Sequence, residues 1–116
     1  MGVILFKKEE YLFEPLEGTE GNGSAKIARF VTDKISSSLG GGIVKMEDCK
    51  FPWTVQYDEI LFVTEGEVII DSNGEKRIGK EGDSFFIEKS TPITYETSSQ
   101  GTFIFCLYPA NWSKQR

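Results

Sequence analysis

The sequence predicts a single all-β domain, a small barrel or sandwich, and three observations predict it. Nine Phe, four Tyr and two Trp make up 13% of the 116 residues, and flat or branched side chains favour a pleated surface. The apolar segments are short, and Gly, Asn, Asp and Ser interrupt them at roughly eight- to twelve-residue intervals, the rhythm of sandwiches and barrels. Almost nothing keeps a helical period. The length suits one domain, which at this size buries roughly two thirds of the surface its unfolded chain exposes.

The elements follow in order. Residues 3–6 and 11–13 read as short N-terminal strand pieces. Residues 17–24 are polar with three Gly and read as a loop. Residues 26–31 alternate polar and apolar, as a half-buried strand does. Ser36-Ser37-Ser38-Leu39-Gly40-Gly41-Gly42 has the look of a phosphate loop but lacks the following Gly-Lys-Ser/Thr and any helix after it. It reads as a glycine turn that lets backbone pass close to a neighbour, followed by a strand over 43–46. Residues 68–71 and 75–78 flank Ser72-Asn73-Gly74, and Asn-Gly is the strongest short hairpin signal because both residues tolerate positive φ. A second turn at 79–83 leads into a strand at 84–87. Strands at 93–97 and 102–108 complete the set, and Pro109 stops the last ladder. The division is an N-terminal strand and loop region over 1–24, a possible dimer arm, and a barrel over 25–116.

Charge and cysteine content narrow the function. The net charge is −5, and no basic stripe is interleaved with aromatics, so nucleic acid is not an expected partner. No apolar run approaches the ~20 residues of a membrane span or has the form of a secretory signal. The two cysteines, Cys49 and Cys106, are expected to be reduced, and a cytoplasmic protein is the expectation.

The stretches "FPWTVQYDEILFVTEGEV", "SSSLGGGI" and "YPANW" carry a resemblance. Residues 53–93 resemble the two sequence blocks of the cupin superfamily, whose fold is an RmlC-like double-stranded β-helix or jelly-roll barrel. The first block reads His-x-His, a short spacer, Glu, six residues, Gly, and Glu59 and Gly66 match its last two positions. The second reads Gly, five residues, Pro-x-Gly, two residues, His. Gly82 opens it, with Glu88, Ser90 and Ile93 where Pro, Gly and His are expected. The chain contains no histidine. Trp53, Val55 and Ile93 stand in the histidine positions, and indole and alkyl groups offer no lone pair to a divalent ion. No tightly bound metal is expected.

Within the superfamily, residues 25–112 are similar to the cupin part of the ethanolamine-utilisation protein EutQ family, through Pro-Trp-Thr-x-x-Tyr-Asp-Glu and the Tyr-Pro-Ala-x-Trp tail. Full-length members carry a further N-terminal region, so the cupin part alone is the expectation. The resemblance implies a role in ethanolamine breakdown, in or beside a bacterial microcompartment and its proteins. It also implies an ATP-dependent acetate kinase activity, with ATP and Mg²⁺ as its requirements. No motif places that chemistry on particular residues. The alternative is a non-catalytic, metal-free cupin that binds a small metabolite or docks to microcompartment partners. The habit of cupins, and the apolar segment 3–6 as an edge strand, point to a homodimer.

Alternation gives a cup independently of the resemblance. If Glu59 faces the interior, so do Trp53, Val55 and Tyr57, each two residues apart, while Ile93 and Tyr95 line the opposite wall. Trp53, Tyr57, Glu59, Ile93 and Tyr95 are the binding candidates; catalytic residues are not identified. Two readings stand: a cup for a small organic ligand, or a barrel packed solid. A buried Glu59 is costly unless paired; in the packed reading it makes a structural hydrogen bond or an ion pair inside the barrel, with Arg29 or Lys45 as candidate partners. Asp58 should face away and bond a turn or a partner chain, Lys89 should be solvated, and Tyr108 and Trp112 should anchor the tail.

Overall fold

The computed structural model describes residues 2–16 and 23–114. The strands, in chain order, are β1 (Glu14–Pro15), β2 (Ser24–Val31), β3 (Gly40–Thr54), β4 (Asp58–Ser72), β5 (Glu75–Lys80), β6 (Ser84–Ile87) and β7 (Pro92–Tyr108). Their order in the sheet is β1-β2-β3-β7-β4-β5, with β6 beside β4, and every pairing is antiparallel. Among the described residues no helix is long and apolar enough to cross a membrane.

Three strands are long enough to bend, and bulges bend them. Beyond its three opening glycines, the buried residues of β3 are Val44 and Met46, then Cys49 and Phe51. The switch from even to odd numbers falls at the register shift between Glu47 and Cys49, where Asp48 has φ 43°. In β4, Glu59, Leu61 and Val63 point inward, and beyond the shifts around Glu65 and Gly66 the inward residues are Val68 and Ile70. An inserted residue flips the side-chain phase and turns the strand. The first half of β4 thus pairs with β6 and the end of β7, and the second half with β5 and the beginning of β7. The sheet rolls into a barrel with the core inside it.

Several expectations meet the structure directly. Asn73 and Gly74 have φ 55° and 78° and close the β4–β5 hairpin. β6 spans the expected residues, and β7 ends at Tyr108, before Pro109. The segments 93–97 and 102–108 are one strand, since polar residues between them continue the ladder with β3. The glycines at 40–42 are not a turn but the start of β3. The close approach is real: a Cβ on Gly42 would stand 2.5 Å from the Ala28 carbonyl oxygen and 2.8 Å from the Phe105 ring.

The N-terminus corrects the sequence reading. Residues 3–6 and 11–13 form no strand, and a 3₁₀ turn occupies Lys8–Glu10. Apolar content there serves packing instead: the Phe6 and Tyr11 rings lie 5.4 Å and 5.3 Å from that of Phe30 on β2. Val3 and Leu5 remain 94% and 73% exposed, so this segment does not supply the edge strand on which a dimer arm was expected. Of the loop expected at 17–24, residues 17–22 lie outside the described residues.

Candidate functional site

The barrel interior is not packed solid. It holds a cavity of about 440 Å³, within the range of small-molecule sites, lined by residues of β2, β3, β4 and β7 and by Leu16, Tyr57 and Trp112. Seven of the lining residues are aromatic: Phe51, Trp53, Tyr57, Tyr95, Phe103, Phe105 and Trp112. The charged side chains among the lining are Arg29 and Glu59.

Glu59 sits on the inward face of β4, 4% exposed. Of the hydrogen bond or ion pair expected for it inside the barrel, a hydrogen bond forms, and with neither Arg29 nor Lys45. Tyr95 Oη donates to Glu59 Oε1 at 2.7 Å, while Arg29 pairs with Glu14 at 3.0 Å and the Lys45 ammonium lies 4.8 Å from the centroid of the Phe13 ring. The reason is strand phase. Lys45, one residue out of step with inward-facing Val44 and Met46, projects from the outer face of β3. Arg29 reaches the wall of the cavity, yet its guanidinium is satisfied by the carboxylate of β1, the strand beside β2.

Burial pushes the Glu59 carboxyl up to about 7, the loss of hydration outweighing the hydrogen bond from Tyr95, which acts the other way. Tyr95 and Tyr57 are raised as well, first by burial and then by the charge of Glu59. Both phenols therefore stay neutral at ordinary pH. Tyr57 Oη accepts from Trp53 Nε1 at 3.1 Å, a bond that holds the indole over the rim of the barrel. The site offers a neutral-to-anionic carboxyl, polar phenols and an extended aromatic wall.

The candidates fall into three groups. Tyr57, Glu59 and Tyr95 are buried and line the cavity together. Trp53 also lines it, but at 37% exposure it stands at the mouth, since β3 ends one residue later. Ile93, the register partner of Trp53, is buried but does not line the cavity, and neither does Val55; both pack in the core. Asp58 faces away as expected and accepts from the Lys89 backbone N–H in the turn before β7, at 2.9 Å.

Trp112 is the main omission of the sequence reading. Expected only to anchor the tail, it also lines the cavity, with its ring centroid 5.1 Å from Tyr57 and 6.0 Å from Trp53. It arrives from a 3₁₀ turn after the last strand, a placement without periodicity to read. Phe103, Phe105 and Leu107 were legible: their two-residue spacing is the same alternation that selected Glu59.

Among the described residues no three His, Cys, Asp or Glu side chains gather closely enough to hold a metal ion. Mg²⁺ with a nucleotide needs carboxylates for the ion and several donors for the phosphates. One carboxyl and one already paired guanidinium do not fit that requirement.

Known proteins place the chain. A solved RmlC-like cupin from Shewanella frigidimarina superposes with a TM-score of 0.75 at 19% identity, covering 90% of this chain and 89% of that one, which shows the cupin fold. A crystal structure of ethanolamine utilization protein Q from Salmonella typhimurium LT2 superposes with a TM-score of 0.89 at 34% identity, over 95% of this chain and 89% of that one. The protein named acetate kinase EutQ in Escherichia coli K12 is 42% identical over 111 residues, 96% of this chain and 47% of that protein. The chain spans about half the length of the curated relatives it matches. The family described as ethanolamine utilisation protein EutQ matches residues 1–114, beyond the 25–112 over which the resemblance was legible, and the chain belongs to the EutQ family.

Proposed function

We propose that this chain is the metabolite-binding barrel of a EutQ-type acetate kinase, acting in ethanolamine utilisation. The observation that carries the binding role is the cavity, walled by aromatic rings around a single buried carboxyl at Glu59. A solid core has no use for a carboxyl held without an ion partner, whereas a ligand site does. The kinase activity rests on the name of the relatives. ATP and Mg²⁺ would act outside this cavity, whose residues do not suit them.

The test pairs two measurements on the purified chain. Ligand-observed NMR with acetate, acetyl phosphate and ethanolamine should detect binding that Glu59→Gln weakens. A coupled assay for acetyl phosphate formation from acetate and ATP should give no Glu59-dependent turnover. Strong Glu59-dependent turnover by this chain would overturn the division of roles, and binding of none of the three would remove the metabolite reading.

A homodimer belongs to the same proposal, on a different surface from the N-terminal arm. Phe86, Ile60 and Cys106 are neighbours across β6, β4 and β7 and are all exposed, Phe86 at 67%. An apolar stripe of this kind is commonly covered by another chain. Sedimentation should show a dimer that Phe86→Lys weakens; a monomer at micromolar concentration would exclude it.

A further inference from the structure

We propose that the barrel cavity takes a small organic ammonium ion, its charged head between the Glu59 carboxyl and the aromatic wall. This deepens the metabolite-binding reading and rests on it. Three observations meet in one place.

The first is an incomplete carboxyl. Glu59 is the one carboxyl among the described residues that line the cavity, and its Oε1 accepts a hydrogen bond from Tyr95 Oη. No hydrogen bond to its other oxygen, Oε2, is seen among the described residues, and Oε2 is not one of the sealed unpartnered atoms there, so a ligand's donor can reach it. An ammonium group brings the missing donors and the opposite charge together.

The second is the wall. Phe51, Trp53, Tyr57, Phe103 and Trp112 line the same cavity as Glu59. Trp112 packs 5.1 Å from Tyr57 and 6.0 Å from Trp53, ring centroid to centroid. Aromatic faces attract a cation within about 6 Å of their centroids, and rings grouped around a carboxylate are a common receptor for alkylammonium groups.

The third is the state of the cation already present. Arg29 is held by Glu14 at 3.0 Å, with both side chains about half exposed or more, so it adds little net charge to the interior. An anionic ligand would meet the Glu59 carboxylate with only that occupied guanidinium to offset it.

The groups that face Glu59 are Tyr95 on β7, Tyr57 ahead of β4 and Arg29 on β2. The phenols stay neutral, so Glu59 is the acidic group of the cavity that changes charge between pH 6 and pH 8. A cation that binds the ionised form should bind about tenfold more tightly at pH 8 than at pH 6, following the ionised fraction of a group near 7.

Calorimetry and tryptophan fluorescence on the intact chain test this, with ethanolamine, tetramethylammonium, neutral ethylene glycol and acetate as probes at both pH values. The expected result is binding of the two cations, about tenfold tighter at pH 8, with ethylene glycol and acetate weaker. Glu59→Gln should cost the cations at least tenfold and remove the pH dependence. The wild-type pH series stands by itself should that variant fold poorly. Preference for acetate or ethylene glycol over the cations would overturn the ligand class while leaving the cavity a metabolite site. Cation binding without pH or Glu59 dependence would also overturn it, and no binding by any probe would remove the metabolite reading as well.

Discussion

Tyr95 donates a 2.7 Å hydrogen bond to Glu59 across the inside of the barrel, joining residues 36 positions apart on strands that meet elsewhere along their lengths. Tyr95 is opposite Phe51 of β3 and Ile70 of β4, whereas Glu59 is opposite Leu107 of β7 and Ile87 of β6. The bond therefore bridges two walls of the cavity. It ties the electrostatics of the site to the stability of the fold.

Stability should depend on pH through Glu59. The carboxyl titrates near 7 in the folded chain against an ordinary value of 4.5, so the folded state holds the proton more tightly. That contribution is complete below 4.5, declines as pH rises toward 7, and is lost above it. At about 1.4 kcal/mol per pH unit the change is roughly 3 kcal/mol. Glu59→Gln should flatten this part of the profile in urea unfolding measured from pH 4.5 to 8. Parallel profiles for wild type and variant would contradict the titration.

Tyr95→Phe removes the hydrogen bond that holds Glu59 down, so the carboxyl should titrate still higher. The cost should be about 1–3 kcal/mol where Glu59 is ionised and smaller where it is protonated. Denaturation at pH 8 and pH 6, with carboxyl carbon NMR to follow the titration, measures both effects. An equal cost at the two pH values would show that the phenol does not sense the charge.

Gly66, the glycine of the first sequence block, lies at the bulge of β4 with φ 64°, and a Cβ there would stand 2.1 Å from the Gln100 carbonyl oxygen. Gly66→Ala should destabilise by about 2–4 kcal/mol, combining left-handed backbone strain with the clash. Gly74 has φ 78° but open space around it, and Gly74→Ala should cost only about 1 kcal/mol. Comparing the two by thermal unfolding separates backbone strain from crowding; equal losses would remove the role given to the Gln100 backbone.

Elemental analysis of protein purified without chelator should find no stoichiometric Zn, Fe, Ni or Mn. The three positions that resemble histidine ligands carry Trp53, Val55 and Ile93. A metal signal abolished by Glu59→Ala would refute this expectation.

The sequence by itself determined the fold class and the inward strip of β4. Two-residue alternation is a local property, and an aromatic, turn-rich chain without helical period has few other ways to bury its apolar face. The same alternation brought Tyr57, Glu59 and Tyr95 to the interior, because each lies within a strand or directly before one. Only the tertiary structure decided what alternation cannot count: where bulges at Asp48 and Gly66 reverse the phase, and that segments 93–97 and 102–108 are one strand. It alone decided that Ile93 belongs to core packing while Trp112 closes the cavity, since a tail residue is placed by long-range contact and not by period. It also chose the partner of Glu59. A hydrogen bond between residues 36 apart depends on how the sheet rolls, and that roll is set by the packing of the whole barrel.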